Sequence, residues 1–174
     1  MSEYGVLTAP DAVRLERILP GPPERVWAYL TDPEKRSTWF SGGAMTQTAG
    51  ASCRLEFHHE NLSHEPTPER FQTSECASID IRITECDPPR VLAYIWGAGN
   101  PAASEVRFEL SQEGVDTRLV LTHFRLANRE ELLSVSAGWH THVDILGDRL
   151  QGVEPRGFWT NYLRLETEYG ARLA

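Results

Sequence analysis

Apolar and polar residues alternate one by one through several segments in the middle of the chain. Ile79, Ile81 and Ile83 alternate with polar neighbours in SIDIRITE (78–85), and SEVRFEL repeats the pattern at 104–110. A period of two places every second side chain on the same face of a β-strand. One packed face and one solvated face are typical of an antiparallel sheet. The pattern therefore restricts the chain to folds in which such a sheet covers one side of the core.

Further strands are expected on both sides of these two segments. Turns at 87–90 and 113–116 separate neighbouring strands, because each holds residues that favour chain reversal. The additional predicted strands are AVRLERIL (12–19), SCRLEFH (52–58), VLAYIW (91–96) and TRLVLTHF (117–124).

Two short helices are predicted between the first and second strands. Pro22 and Pro23 suit a helix start, since proline at the first helical positions gives up no needed N–H group. Asp32-Pro33 ends this helix and permits a second one, which runs into Trp39-Phe40.

The period changes from strand-like to helical at Asn128. Asn128 and Glu131 match a capping box, and Gly152 is suited to a helix C-cap, so a long helix is predicted over 129–151. A last helix is predicted after Pro155, and one of its faces carries Phe158, Tyr162, Leu165 and Tyr169. This order of elements predicts an α+β fold, in which a curved antiparallel sheet wraps around one long helix.

The segment 58–75 interrupts the alternation with a long polar loop that holds two prolines. Loops of this length are uncommon in compact domains unless they are functional or disordered. We expect the loop to be mobile and to lie near the entrance of a cavity. Its three histidines, His58, His59 and His64, are interpreted as solvated residues rather than metal ligands, because no cysteine or carboxylate is spaced to complete a zinc set.

The stretch GWHTHVDIL (138–146) lies within the predicted long helix. At about 100° per residue, Trp139 shares a stripe with Val143, Leu146 and other apolar residues, and this stripe is expected to face the sheet. His140, with Asp144 and Asp148, is expected on the solvent face. Because residues two apart point in roughly opposite directions, His140 and His142 cannot chelate one metal.

His142 is predicted at the edge of the apolar stripe. It is either a boundary histidine bonded to backbone or water, or a polar group at the rim of a cavity. Gly138, a costly residue within a helix, is expected to permit close approach of another element.

The composition excludes several classes of function. The 174 residues carry a net charge of −8, and no basic run offers a footprint for nucleic acid or an anionic membrane. No apolar run is long enough to span a bilayer, and the polar N-terminus is unlike a signal peptide. Cys53, Cys76 and Cys86 lack metal-binding or redox spacing, which favours reduced cysteines in a cytoplasmic protein. No motif for a cofactor is present, so none is expected.

Apolar and aromatic residues on the inner faces predict a cavity between the sheet and the long helix, with Tyr94, His123 and His142 as its polar groups. A solid core is the alternative. The candidate ligand-binding residues are Trp39, Phe40, Phe57, Ile81, Tyr94, Trp96, Phe108, Leu121, His123, Trp139, His142, Val143 and Leu146.

Four motifs in series resemble one known family: VWAYLTDPEKRSTWF, ECDPPRVLAYIW, TRLVLTHF and GWHTHVDIL. The family is named for the activator of heat-shock protein 90 ATPase (homologue-1-like domain) and belongs to the START-related, Bet v 1-like (SRPBCC) helix-grip superfamily. The resemblance implies one domain over 1–174, with its core at about 12–152 and a helical appendage at about 155–172. The loop 58–75 is longer than the family's usual connection. No counterpart is seen of the N-terminal domain that eukaryotic co-chaperones of the family carry, so chaperone activation is not implied.

Three functions are compatible with this reading. The first is binding of a small hydrophobic or amphipathic molecule without catalysis. The second is an enzyme, such as a cyclase or hydrolase, in which His142 or His123 acts with Tyr94 as acid and base. The third is an interaction module that contacts a chaperone or forms a homodimer.

Overall fold

The structure is a computed structural model that describes residues 2–74 and 77–174. The strands in the described chain are β1 (Val6–Ala9), β2 (Ala12–Leu19), β3 (Ser52–Glu56), β4 (Ser78–Asp87), β5 (Val91–Trp96), β6 (Ser104–Glu113) and β7 (Asp116–Phe124). The α-helices are α1 (Pro23–Thr31), α2 (Pro33–Arg36), α3 (Arg129–Gln151) and α4 (Phe158–Arg172). Two 3-10 helices, His59–Asn61 and Glu69–Ser74, lie in the segment expected to be an irregular loop.

All strands belong to one antiparallel sheet in the order β1-β2-β7-β6-β5-β4-β3. Leu15, Leu121, Phe108 and Leu92 are paired in turn across four neighbouring strands, and all are buried. Such a row shows that the alternating apolar residues form one packed face. The short edge strand β1 was not predicted from the sequence.

Helix α3 lies against the inner face of the sheet, and its ends are fixed by local capping. The side chain of Asn128 accepts a hydrogen bond from the backbone N–H of Glu131 at 2.9 Å, and the Glu131 carboxylate accepts from the N–H of Ala127. Gly152 ends the helix in the left-handed conformation with φ 71°. The predicted helix boundaries and the predicted α+β helix-grip fold are confirmed.

The prediction that this face of α3 is solvated is wrong, because α4 and the segment that precedes it cover the face. His140 is buried, and its Nδ1 lies 2.9 Å from the hydroxyl of Tyr169 in α4. Asp148 is also buried and binds the guanidinium of Arg156 through both carboxylate oxygens. Asp144 contacts the same guanidinium at 3.4 Å. Polar side chains can therefore occupy a buried helix face when each is paired.

Helix α4 completes the core with the residues predicted to share one of its faces. Phe158, Tyr162, Leu165 and Tyr169 are all buried and belong to the same core cluster as α3 and the sheet. Within the described residues, no helix combines the length and apolar character needed to cross a membrane. Cys53 and Cys86 are free thiols, and Cys76 lies outside the described residues.

Candidate functional site

A cavity of about 400 Å³ lies between the sheet, the first half of α3, the start of α4 and the segment 58–74. Its walls are mainly aromatic, and its exposed members, Ser78 and Ser134, lie where it reaches the surface. The lining residues are Phe40, Phe57, His59, Phe71, Ala77, Ser78, Ile79, Trp96, His123, Ser134, Val135, Gly138, Trp139, His142, Phe158, Trp159 and Tyr162.

The structure brings six of the thirteen candidate residues together around this cavity. These are Phe40, Phe57, Trp96, His123, Trp139 and His142. The others are buried in the solid core instead: Trp39, Ile81, Tyr94, Phe108, Leu121, Val143 and Leu146. The sequence identifies the inner faces of helix and sheet correctly, but it does not show where along α3 the two separate.

Tyr94 illustrates this limit. Its ring packs 5.8 Å from that of Phe108, with only 2% of the residue exposed, and burial raises the pKa of its hydroxyl. Tyr94 therefore lies in the core and does not supply the polar cavity group that was predicted.

Gly138 faces open space rather than a closely packed element, which corrects the sequence expectation. A Cβ atom added at this position would meet no atom within 4 Å outside its own helix backbone, and the residue lines the cavity. The missing side chain therefore adds volume to the cavity. Gly147, in the same helix, also has open space in front of it but does not line the cavity.

His123 is held by hydrogen bonds at both ring nitrogens. The indole N–H of Trp139 donates to Nδ1 at 3.0 Å, so Nε2 carries the proton and donates to the hydroxyl of Ser104 at 2.7 Å. Burial lowers the pKa of His123 to about 4, which keeps the ring neutral. The prediction that His123 lies on the concave face is confirmed, and its nitrogens are already satisfied.

His142 has one engaged and one free ring nitrogen. Its Nδ1 lies 2.8 Å from the backbone carbonyl of Trp39, and because a carbonyl only accepts, Nδ1 carries the proton. Burial is the largest cause that lowers the pKa of His142 to about 3, and the nearby His59 lowers it further. Nε2 is then a bare acceptor, and it has no hydrogen-bond partner among the described residues. His142 is therefore buried, bonds to backbone and lines the cavity.

Residues 58–74 and α4 supply one wall of the cavity. The loop was expected near the cavity entrance, but none of its residues was a candidate for ligand binding. The His59 ring lies 5.5 Å from His142, 5.0 Å from Phe158 and 5.7 Å from Trp159, and burial lowers the pKa of His59. Phe71 stacks on Trp159 at 4.6 Å. The sequence places Phe158 and Trp159 near the start of the last helix. Nothing in it indicated that the polar loop packs on these two residues.

Polar contacts fix this segment to α4. The Glu65 carboxylate accepts hydrogen bonds from the backbone N–H of Thr160, at 2.8 Å, and from its hydroxyl. Arg70 donates two hydrogen bonds to Glu166, at 2.9 and 2.7 Å. The carboxylate at the first turn of α4 also interacts favourably with the helix dipole. This wall of the cavity is therefore built from two segments that lie 95 residues apart in the chain and are joined by side-chain contacts to α4.

On the opposite side, a buried arginine shapes the wall that holds Phe40. Arg36 is only 1% exposed, and its guanidinium donates to the backbone carbonyls of Thr31, Ser41, Gly42 and Gly43. Among the described residues no carboxylate forms an ion pair with it. Burial lowers the pKa of Arg36, although an arginine remains protonated in proteins.

Comparison with known proteins identifies the family. The model of the family described as activator of Hsp90 ATPase homolog 1-like protein matches residues 20–151. No curated protein matches the chain. A Bordetella parapertussis protein solved by NMR is 43% identical to this chain and has a TM-score of 0.83. The match covers 97% of this chain and 90% of that chain.

More distant structures share the fold. The crystal structure of CalU16 from Micromonospora echinospora is 24% identical, with 92% of this chain and 86% of that chain covered and a TM-score of 0.68. The solution structure of the Aha1 dimer from Colwellia psychrerythraea is 14% identical, with 80% and 95% covered and a TM-score of 0.61. The chain therefore belongs to the family of activator of Hsp90 ATPase homolog 1-like proteins, with the helix-grip fold that its sequence motifs implied.

Proposed function

We propose that the protein binds a small hydrophobic or amphipathic molecule in the cavity between the sheet, α3 and α4. The observation that carries this proposal is an aromatic-lined space of about 400 Å³ that reaches the surface. Ligand sites are typically concave and mostly apolar, with volumes of roughly 300–1,000 Å³. A core that served only for stability would be packed without such a space.

Catalysis by the candidate residues has less support. A general base works best when its pKa is near the working pH, and the pKa values of His123 and His142 are lowered to about 4 and about 3. Both rings are then weak bases. Tyr94, the third member of the enzyme hypothesis, lies in the core with a raised pKa.

A protein-binding role also has less support. Within the described part of α4, Leu163 is the large hydrophobic residue left exposed, and a single exposed leucine does not make an apolar patch. Homodimer formation and contact with a chaperone stay predictions for which the cavity offers no argument.

The test is binding of a neutral fluorescent probe, N-phenyl-1-naphthylamine, to the purified protein and to two matched glycine variants. Gly138→Leu places a side chain in the cavity, whereas Gly147→Leu places the same side chain in open space elsewhere on α3. We expect Gly138→Leu to abolish probe fluorescence and Gly147→Leu to retain it. Native mass spectrometry of freshly purified protein would show any co-purified molecule directly.

The proposal is overturned if the wild-type protein does not bind the probe. It is also overturned if a folded Gly138→Leu variant binds the probe as well as Gly147→Leu does, because the probe would then occupy another surface. Circular dichroism of both variants establishes that they are folded.

A further inference from the structure

We propose that the ligand is a neutral aromatic molecule carrying a hydroxyl or N–H group that donates a hydrogen bond to Nε2 of His142. This inference rests on the proposed function and specifies the chemistry of its ligand. It comes from a cavity imidazole whose Nδ1 is engaged and whose Nε2 has no hydrogen-bond partner among the described residues.

The direction of the hydrogen bond follows from the tautomer of His142. Its Nδ1 donates to the Trp39 carbonyl, so Nε2 carries a lone pair and no proton. Only 5% of the residue is exposed, and it lines the cavity. Because Nε2 has no partner among the described residues, a ligand donor can form a hydrogen bond with it. His123 cannot serve in the same way, because Ser104 and Trp139 occupy both of its nitrogens.

The aromatic rings around the His142 ring select the rest of the ligand. The rings of Phe40 and Phe158 both lie 5.0 Å from the His142 ring, and that of Trp139 lies 6.4 Å from it. Aromatic rings pack favourably against one another in edge and offset geometries, so a flat aromatic ligand fits these walls.

The uncharged lining of the cavity excludes ionised ligands. Among the described residues that line the cavity there is no lysine, arginine, aspartate or glutamate. The histidines of the wall are held in their neutral forms by burial. A carboxylate or ammonium group placed here would lose its hydration without gaining a partner, which is strongly unfavourable. The ligand is therefore neutral in the bound state.

The experiment compares naphthalene, 2-naphthol and 2-naphthoate, which share one ring system and differ in the polar group. Affinities are measured from the quenching of tryptophan fluorescence at pH 7.5. We expect wild-type protein to bind 2-naphthol about 2- to 10-fold more tightly than naphthalene, the range given by one net hydrogen bond, and 2-naphthoate more weakly than either.

Two variants test whether the preference for 2-naphthol over naphthalene arises from Nε2 of His142. In His142→Asn, the amide N–H can still donate to the Trp39 carbonyl, but no atom replaces Nε2. In His142→Gln, the longer side chain can place its oxygen near the position of Nε2. We expect His142→Asn to bind naphthalene and 2-naphthol equally, and His142→Gln to restore part of the preference for 2-naphthol.

Four outcomes overturn the inference. If wild-type protein binds naphthalene but does not prefer 2-naphthol, or if folded His142→Asn keeps the preference, no ligand donor reaches Nε2, while the proposed cavity binding stands. If 2-naphthoate binds most tightly, the ligand is an anion. If none of the three compounds binds at its solubility limit, the proposed function fails together with this inference. The comparison of the three compounds on wild-type protein does not depend on any variant being folded.

Discussion

The indole N–H of Trp139 donates to Nδ1 of His123 across 3.0 Å, which joins the middle of α3 to the inner face of β7. Both residues are buried, with 5% and 1% exposed. A hydrogen bond in such a site is hard to replace with water, so its loss leaves His123 with an unpaired acceptor. Trp159 provides a comparison within the same cavity, because its indole N–H is buried without a hydrogen-bond partner among the described residues.

We predict that Trp139→Phe lowers the free energy of unfolding by about 1–3 kcal/mol more than Trp159→Phe does. Both changes remove a similar volume, but only the first removes a hydrogen bond from the core. Urea unfolding followed by circular dichroism measures the difference. Equal losses in the two variants would show that the contact between Trp139 and His123 contributes nothing measurable. In line with its place on the cavity wall, Trp139→Phe should also weaken probe binding.

The second prediction concerns pH. Burial lowers the pKa of His123 and His140 to about 4 and that of His142 to about 3, whereas unfolded chains keep histidine near 6.5. Between these values the unfolded state binds more protons than the folded state. The free energy of unfolding therefore falls as the pH drops below about 6.5, and this contribution levels off below the folded-state pKa values. Above pH 6.5 the contribution of these histidines to the free energy of unfolding is fully present.

Each buried histidine adds up to about 1.4 kcal/mol per pH unit to this slope. We predict that His142→Asn has a shallower dependence than wild-type protein by about one proton. Urea unfolding at pH 5.0, 5.5, 6.0 and 7.0 measures it, in a window above the range in which most carboxylates titrate. Identical slopes in the two proteins would mean that His142 is not buried in neutral form.

The third prediction uses the two open glycines of α3. Gly138→Ala and Gly147→Ala should each raise the free energy of unfolding by up to about 1 kcal/mol, because alanine favours the helix and the added Cβ meets no atom within 4 Å. Thermal unfolding is sufficient to measure it. Destabilisation by Gly138→Ala alone would indicate that the cavity is closed in solution and that another group occupies this space.

The fourth prediction concerns the segment 58–74. Glu65→Ala removes the acceptor at the first turn of α4, and we expect a loss of about 0.5–2 kcal/mol in the free energy of unfolding, as for a helix cap. Amide exchange in the segment should become faster, and a bound ligand should slow it. Glu69→Ala, at an exposed neighbouring carboxylate, is the control. Equal exchange in the two variants would show that Glu65 does not fix the segment to α4.

Much of the fold was predictable because its signals are local. The alternation around Ile81 and the capping residues at Asn128 and Gly152 act within a few positions of the chain, so they can be read without knowledge of the tertiary structure. The same reasoning placed Trp139 on the sheet side of α3 and His123 on the concave face of β7, as the structure has them.

The site was predictable only in part, because its remaining features depend on contacts between distant segments. The face of α3 that carries His140 looks solvated by its polarity, but α4 covers it and supplies Tyr169 as a partner. His59 looks like a loop residue until the loop packs on Phe158. Gly138 suggested close packing, whereas it borders open space. Helical periodicity distinguishes two faces of a helix but does not reveal whether both are buried.

The backbone carbonyl groups around Arg36 form a shell that replaces its hydration shell. Their dipoles stabilise the guanidinium charge in place of water molecules and a counterion. Because guanidinium does not titrate in the range where the histidines do, this shell keeps its geometry when the medium is acidified. The two sides of the cavity therefore respond differently to acid. The side that carries Phe40 keeps its shape, while the facing imidazole of His142 becomes costly to bury. A lysine at position 36 would provide three donors for four carbonyl groups and could not form the same shell.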